Sequence, residues 1–194
     1  ELQAGQWLVA DVLSRAILAS PLDATLQIVS ENGFVLAESD DAPDLDPRIV
    51  FSVPSTGKYL VRIFGFPADP NQSIGFAGSA SMIYRLTMTT NGFLEATSPL
   101  VVESGQMTQV KLLGPAVPEG SVFDVPAGSA GHTVTVWKDG VAGFFGVPLV
   151  AHKAFAEGGI PQEALQPPVT LCGIVAEAGA RDKYRIVAKK DQPL

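Results

Sequence analysis

Cysteine is almost absent from this chain. Cys172 is the single cysteine among 194 residues, which excludes a disulfide framework and any metal site built from several cysteines. It lies in an apolar run, residues 169–175, that is typical of a buried strand. We therefore expect a small buried side chain at this position rather than a reactive thiol.

Basic residues and long apolar runs are also scarce. Thirteen lysines and arginines stand against twenty aspartates and glutamates, which leaves a formal net charge of −7. That charge argues against nucleic acid or an anionic membrane as the main partner. No apolar run approaches the roughly 18 residues that a membrane-spanning helix needs. The hydrophobic content of 46% is too high for intrinsic disorder, so the composition predicts compact folded domains.

Motifs of common catalytic sites are missing as well. The sequence contains no G-x-S-x-G elbow, no P-loop and no G-x-G-x-x-G pattern, and we expect the glycines at 140, 143 and 146 to form a flexible loop. The histidines, His132 and His152, lack the spacing of an H-E-x-x-H metal site. We expect two surface or hydrogen-bonded histidines, with shared metal ligation or a catalytic histidine as the alternative.

What the chain does contain is a series of short alternating or β-branched runs separated by Gly, Pro, Asn and Asp. This pattern is typical of an all-β protein made of sandwiches or barrels. Asn32-Gly33 predicts a two-residue hairpin turn, because both residues tolerate positive φ. Strands are predicted over residues 6–13, 24–30, 34–38, 48–53, 58–64, 82–89, 101–103, 108–113, 121–125, 133–138, 149–155, 170–176 and 182–189.

Two breaks in composition divide the chain into three segments. The first break follows Thr89-Thr-Asn-Gly92, and the second is residues 158–168, which combine a glycine pair with a proline pair and are typical of a linker. The predicted segments are 1–92, 93–166 and 167–194. Alternating apolar residues in the second segment predict a small immunoglobulin-like sandwich, although the Cys-Trp-Cys set of that fold is absent.

A set of motifs in the first segment resembles a known family. In order, they are Ala4-Gly-Gln-Trp-Leu-Val-Ala-Asp, Ser20-Pro-Leu-Asp-Ala-Thr-Leu, Asn32-Gly-Phe-Val-Leu-Ala, Asp40-Asp41, Asp46-Pro-Arg-Ile-Val-Phe, Thr56-Gly-Lys-Tyr-Leu-Val-Arg-Ile and Ile83-Tyr-Arg-Leu. Their order and spacing resemble the bacterial pre-peptidase C-terminal domain, a β-sandwich appended to secreted proteases and other large exported proteins. The resemblance implies an extracellular, periplasmic or cell-envelope location, and partners among the other domains of a parent protein.

The end of the chain resembles the opening of another such module, through Pro167-Pro-Val-Thr-Leu-Cys-Gly-Ile-Val and Asp182-Lys-Tyr-Arg-Ile-Val-Ala-Lys-Lys. The chain therefore resembles a fragment cut out of phase with its domains. We expect residues 182–189 to complete the first sandwich as a strand, either by circular permutation or by a swap into a neighbouring copy. Tyr184, Ile186 and Ala188 would then face the core.

The densest cluster of titratable residues is the acidic loop of residues 38–47. Its five carboxylates repel one another unless something compensates for them, and oxygen ligands on a turn suit Ca²⁺. The predicted cofactor is Ca²⁺, with Asp40, Asp41, Asp44 and Asp46 as the candidate ligands. A solvated loop whose aspartates cap turns, and a catalytic carboxylate pair, are the alternatives.

Aromatic residues offer a second candidate site. Trp7 alternates with Val9 and Asp11 and is expected in the core, with a binding surface as the alternative. Phe66 and Phe76 bound a predicted long loop and are the candidate binding residues, with Phe64 and Trp137 as further aromatic candidates.

Three functions are compatible with these observations. The first is a non-catalytic accessory fragment of an exported multidomain bacterial protein, which acts as a spacer or as a weak binding module for a polymer or protein ligand. The second is a metal-dependent ester or phosphoester hydrolase that uses the acidic loop or the histidines. The third is a dedicated carbohydrate- or peptide-binding domain. A binding domain should present an exposed aromatic surface, whereas a spacer should not.

Overall fold

The predicted all-β fold is confirmed by a computed structural model, which describes residues 1–42, 44–67 and 75–188. The chain divides into two compact units, Glu1–Phe93 and Leu94–Leu194. Among the described residues the only helix spans four residues, and no helix is long and apolar enough to cross a membrane. Pro43 in the acidic loop, residues 68–74 of the predicted long loop and residues 189–194 at the chain end lie outside the described residues.

The first unit contains two antiparallel sheets of three strands each. Their orders are β4-β1-β6 and β3-β2-β5. The elements are β1 (Trp7–Leu13), α1 (Arg15–Leu18), β2 (Leu22–Ser30), β3 (Val35–Ser39), β4 (Arg48–Ser52), β5 (Tyr59–Pro67) and β6 (Arg85–Thr89).

One hydrophobic core joins these two sheets. Alternate residues of β1 and β2 point to the same cluster, as the period of a strand requires, and residues of β4 complete it. Since both sheets contribute to a single core, the unit is a β-sandwich. Its most deeply buried members include Ala10, Val12, Ala24, Leu26 and Ile28.

The predicted hairpin between β2 and β3 is confirmed, but its loop is longer than expected. The Ser30 N–H donates to the Phe34 carbonyl oxygen at 2.8 Å, which leaves three residues, 31–33, in the loop. Gly33 adopts φ +86°, whereas Asn32 is not among the residues with positive φ. A three-residue loop that ends in a glycine with positive φ is compatible with the right-handed twist of the two strands, as a two-residue turn is.

The second unit is also built from small sheets around one core. Its strands are β7 (Ala96–Ser98), β8 (Val102–Glu103), β9 (Thr108–Leu113), β10 (Val122–Val125), β11 (Thr133–Lys138), β12 (Val141–Val150), β13 (Lys153–Ala156) and β14 (Val169–Cys172). They form the sheets β10-β9-β7 and β11-β12-β8 and the parallel pair β13-β14. The two three-stranded sheets share a core that includes Val110, Leu112, Val136, Val147 and Leu149.

Two strand predictions in the second unit are wrong. Residues 140–146, expected as a flexible loop, include the entire first half of the ten-residue strand β12. The predicted strand 149–155 is two strands, because the chain bends at Ala151 and His152 between β12 and β13. β14 falls in the predicted third segment and pairs along its length with β13 in the predicted second segment.

Residues 182–188 do not form the strand predicted for them. Ile186 makes one parallel bridge with Leu165 of the second unit, where the Leu165 N–H donates to the Arg185 carbonyl oxygen at 2.8 Å. Tyr184 and Ile186 are 42% and 45% exposed rather than facing a core. A single bridge fixes too few backbone groups for a strand to propagate. Exchange of this segment into the first unit of a neighbouring copy stays a prediction.

Candidate functional site

The acidic loop does not present its carboxylates as one set. Asp40, Asp41 and Asp44 are exposed, whereas Asp46 is only 4% exposed. Within residues 1–42, 44–67 and 75–188, no group of three or more His, Cys, Asp or Glu side chains is placed to hold a metal ion. The structure thus separates Asp46 from the other three predicted ligands.

The carboxylate of Asp46 is hydrogen-bonded to the residues at the start of α1. Its carboxylate accepts hydrogen bonds from the Ser14 N–H at 3.0 Å, the Ser14 Oγ at 2.6 Å, the Arg15 N–H at 2.8 Å and the Ala16 N–H at 3.1 Å. Burial by itself raises the pKa of Asp46, but these hydrogen bonds outweigh it and hold the pKa below its ordinary value. Both oxygens are therefore occupied by structural partners.

Calcium binding at the loop remains a prediction, which now depends on Asp40, Asp41 and Asp44. We predict that millimolar Ca²⁺ raises the melting temperature of the chain, because a ligand that binds only the folded state stabilises it. The rise should disappear in Asp41→Asn/Asp44→Asn and persist in Glu119→Gln/Asp139→Asn, which removes the same charge from exposed positions elsewhere. A melting temperature that is unchanged by Ca²⁺ in the wild-type chain would contradict the prediction.

A second buried carboxylate, which the sequence did not reveal, lies in β1. Asp11 is 5% exposed, and its Oδ1 accepts a hydrogen bond from the Nε of Arg48 at 2.7 Å. The guanidinium of Arg48 also lies 4.6 Å from the centre of the Phe93 ring. Burial raises the pKa of Asp11, while Arg48 opposes the rise. This group has the features of a structural ion pair, because the carboxylate is buried opposite its arginine partner on β4, whose guanidinium packs on Phe93.

Three phenylalanines form a cluster at the surface of the first unit, in which Phe64 and Phe66 are half-buried. Phe66 and Phe76 are stacked, with centroids 5.5 Å apart and ring planes at 22°, and Phe64 meets Phe76 edge-on at 5.5 Å. Phe76 is 79% exposed. We call Phe64, Phe66 and Phe76 the Phe76 cluster. The structure thus brings together the two predicted binding residues, although Phe66 belongs to β5 and not to a loop.

The alternation of β5 explains how the Phe76 cluster forms. Val61 and Ile63 face the core, so Phe64 and Phe66 stand on the opposite face of the sheet. The Ala77 N–H donates to the Gly65 carbonyl oxygen at 3.0 Å and holds Phe76 against them. Gly65 is required here, since a Cβ would lie 2.5 Å from the Asp23 carbonyl oxygen.

Polar groups continue the same outer face beside the Phe76 cluster. Thr25 and Asp23 lie opposite Phe64 and Phe66 in the β2–β5 register, and Asp23 pairs with Arg15 at 3.2 Å. Further along β2, Gln27 donates through Nε2 to Glu38, while its buried Oε1 has no hydrogen-bond partner among the described residues. Thr25 and Gln27 are buried, so beside the rings the face presents mainly the Asp23–Arg15 ion pair.

Both tryptophans are exposed, and only Trp7 differs from what its pattern predicts. Trp7, expected in the core, is 46% exposed; it is the first residue of β1, and its same-face neighbours Val9 and Asp11 further along the strand are buried. Trp137 on β11 is 55% exposed. An exposed tryptophan is unusual, since burial of its large ring is a main source of stability in folded domains.

The remaining candidate residues show no catalytic arrangement. His132 is exposed, and the Nε2 of His152 is hydrogen-bonded to the Thr170 Oγ1 at 2.7 Å. Cys172 is 8% exposed in β14, which agrees with a small buried side chain.

Comparisons with known proteins leave the family open. No family model matches the chain, and neither the curated proteins nor the solved structures gave a significant match.

Proposed function

We propose that the chain is a non-catalytic accessory fragment of an exported multidomain bacterial protein, whose first unit binds a polymer or protein ligand weakly through the Phe76 cluster. The observation that carries the binding role is the stacked pair of Phe66 and the 79% exposed Phe76. Leaving such rings in water forgoes the stabilisation that burial would give, and exposed aromatic clusters commonly mark binding sites. The resemblance of residues 1–92 to the pre-peptidase C-terminal domain supports the accessory and exported parts of the proposal.

The buried titratable groups of the first unit favour a non-catalytic role. Strongly perturbed carboxylates in a cleft are typical of catalytic sites. Here Asp46 is occupied by the Ser14, Arg15 and Ala16 donors, and Asp11 is paired with Arg48. Both perturbations thus have a structural cause, and neither carboxylate is free to take or give a proton to a substrate.

Removal of the cluster rings should abolish most of the binding. In native gels that contain neutral polysaccharides, gelatin or soluble peptidoglycan fragments, we expect at least one polymer to retard the wild-type chain. Phe66→Ala/Phe76→Ala should weaken that interaction about 10- to 100-fold, the loss expected of an aromatic hot spot. The melting temperature should change little in the Phe76→Ala single variant, because that ring is mostly in water.

A matched control is available in the same unit. Phe34 is 69% exposed at the β2–β3 hairpin, and Phe34→Ala removes a similarly exposed ring outside the Phe76 cluster. Phe34→Ala should bind as the wild type does. The proposal would be contradicted if a polymer retarded the wild type and the Phe66→Ala/Phe76→Ala variant equally. It would also be contradicted if none of these polymers retarded the wild type.

A further inference from the structure

A second exposed aromatic surface lies on the outer face of β11 and β12 in the second unit. Val136 and Val147 are fully buried in the core of this unit, so their neighbours in the two strands point outward. Trp137 and Phe144 are among these outward residues, at 55% and 51% exposure. Two large aromatic side chains on one sheet face are therefore left uncovered by the unit to which they belong.

A bulge in β12 places these two residues at the same end of the ladder. Val136 is paired with Phe145 and Lys138 with Val141, so residues 142–144 lie opposite Trp137. Gly143 adopts φ +80°, which an L side chain rarely accepts. The Ala142 carbonyl oxygen accepts a hydrogen bond from the Leu94 N–H at 2.7 Å, and this bond fixes the bulge.

Between the rings and Pro148 the rest of the face is uncharged; beyond Pro148 it reaches Val150, which pairs with Glu103 of β8 in the register. In the register, Thr135 lies opposite Gly146 and Thr133 lies opposite Pro148, and all four are exposed. A Cβ at residue 146 would lie 2.9 Å from the Thr133 Cγ2, so glycine leaves room for the Thr133 side chain to pack over this strand. We call this surface the Trp137 strip; its residues are Thr133, Thr135, Trp137, Phe144, Gly146 and Pro148.

We propose that the Trp137 strip is a binding site for a neutral glycan chain. None of its six residues is charged, in a chain of formal net charge −7, so the strip offers nothing to select an ionic ligand. Aromatic faces pack against the C–H face of a sugar ring, and threonine hydroxyls both donate and accept, as sugar hydroxyls do. Exposed rings next to small hydroxyl-bearing residues therefore match the two kinds of surface that a sugar presents.

Other occupants fit the strip less well. An extended peptide that adds to a sheet pairs with the backbone of an edge strand, which here is β11, and leaves the rings on the sheet face uncovered. A stable protein partner typically covers about 800 Å² on each side. The strip spans only about 13 Å from Thr133 to Trp137, at the usual rise of a strand, and two strands in width. These dimensions suit a short stretch of a polysaccharide.

This site is independent of the Phe76 cluster, because it is built from different residues of a different unit. Each surface by itself is small, and we expect each to bind weakly. Two weak sites in one chain can together raise the apparent affinity for a polymer by roughly 10² to 10⁴ when both engage the same molecule.

Trp137 can report on its own occupancy. The chain has two tryptophans, so Trp7→Phe leaves Trp137 as the only one. In this variant we expect the tryptophan emission to shift and saturate with at least one neutral polysaccharide among soluble cellulose derivatives, β-1,3-glucan, xylan and starch. Native gels with the same polymers should show at least 10-fold weaker binding for Trp137→Ala and unchanged binding for Trp7→Ala, which removes the other exposed tryptophan.

The outcomes separate this inference from the proposed function. A variant that carries Trp7→Phe together with Phe66→Ala/Phe76→Ala has lost two rings of the Phe76 cluster and keeps Trp137 as its only tryptophan. Its emission response to short neutral oligosaccharides should stay intact, whatever the Phe76 cluster binds. No emission response to any of the neutral polysaccharides would overturn the inference. An equal response to polygalacturonate, which is anionic, or to gelatin, which is a polypeptide, would overturn it as well.

Discussion

Arg48→Met is expected to destabilise the first unit by about 2–4 kcal/mol in urea unfolding of the full chain. The variant leaves the Asp11 carboxylate buried without the Nε donor that now lies 2.7 Å away. Loss of one partner from a fully buried ion pair costs about 3–5 kcal/mol. We expect a somewhat smaller loss because 18% of the Arg48 side chain is exposed. Contact of the guanidinium with Phe93 is lost in the same variant.

The pH dependence and two controls identify the cause of this loss. Burial already raises the pKa of Asp11, and removal of Arg48 should raise it further. A carboxyl whose pKa is raised by folding lowers stability as the pH rises through the window between its unfolded and folded pKa values, so the deficit of Arg48→Met should shrink as the pH falls. Asp11→Asn/Arg48→Met should lose less than Arg48→Met, because no buried charge is stranded.

Lys58→Met is the matched surface control. Lys58 and Glu31 form an exposed pair 3.9 Å apart, and we expect a change within about 0.5 kcal/mol. If Arg48→Met cost no more than Lys58→Met, the ion-pair account would be wrong.

Asp46→Ala is expected to cost about 2–4 kcal/mol, because it strands four donors at the start of α1 that now share one carboxylate. Asp46→Asn keeps one acceptor oxygen and should cost roughly half as much. Asp44→Ala, which removes an exposed carboxylate from the same loop, should stay within about 0.5 kcal/mol. Thermal or urea unfolding measures all three.

The sign of the pH effect at Asp46 is opposite to that at Asp11. Folding lowers the pKa of Asp46, so its contribution is fully present above its unfolded pKa, near 3.8, and is lost as the pH falls through the lower folded value. The stability difference between the wild type and Asp46→Ala should therefore shrink in acid below about pH 4. A difference that stays constant from neutral pH into strong acid would contradict the capping role.

Local patterns predicted most of the fold, because alternation reports directly on which face of a strand is buried. β1, β2 and β9 were predicted within two residues of their ends, and Leu26 and Val110 are fully buried, as their alternation requires. β12 was missed because Gly143 and Gly146 have poor intrinsic strand propensity. The pairing with β11 and the hydrogen bond from Leu94 supply the stability that the local sequence lacks.

The candidate sites show the same division between local and distant information. The sequence identified Phe66 and Phe76 as aromatic candidates, but only the fold of β5 could bring Phe64 and Phe66 onto one face with Phe76 above them. Asp46 was grouped with its sequence neighbours as a calcium ligand. Its actual partners begin at Ser14, 32 residues earlier, a contact that no local pattern could reveal.

The binding account is tested most directly by chemical-shift mapping of the full chain. The added ligands are oligosaccharides from a neutral polysaccharide that retards the chain in native gels. We expect the largest backbone amide shifts at residues 133–137 and 144–148 of the Trp137 strip, joined by residues 64–66 and 76–77 where the same polymer is the ligand of the Phe76 cluster. These residues surround the exposed rings that carry the two proposals. Shifts that are absent, or that centre on the acidic loop or the histidines instead, would contradict the account.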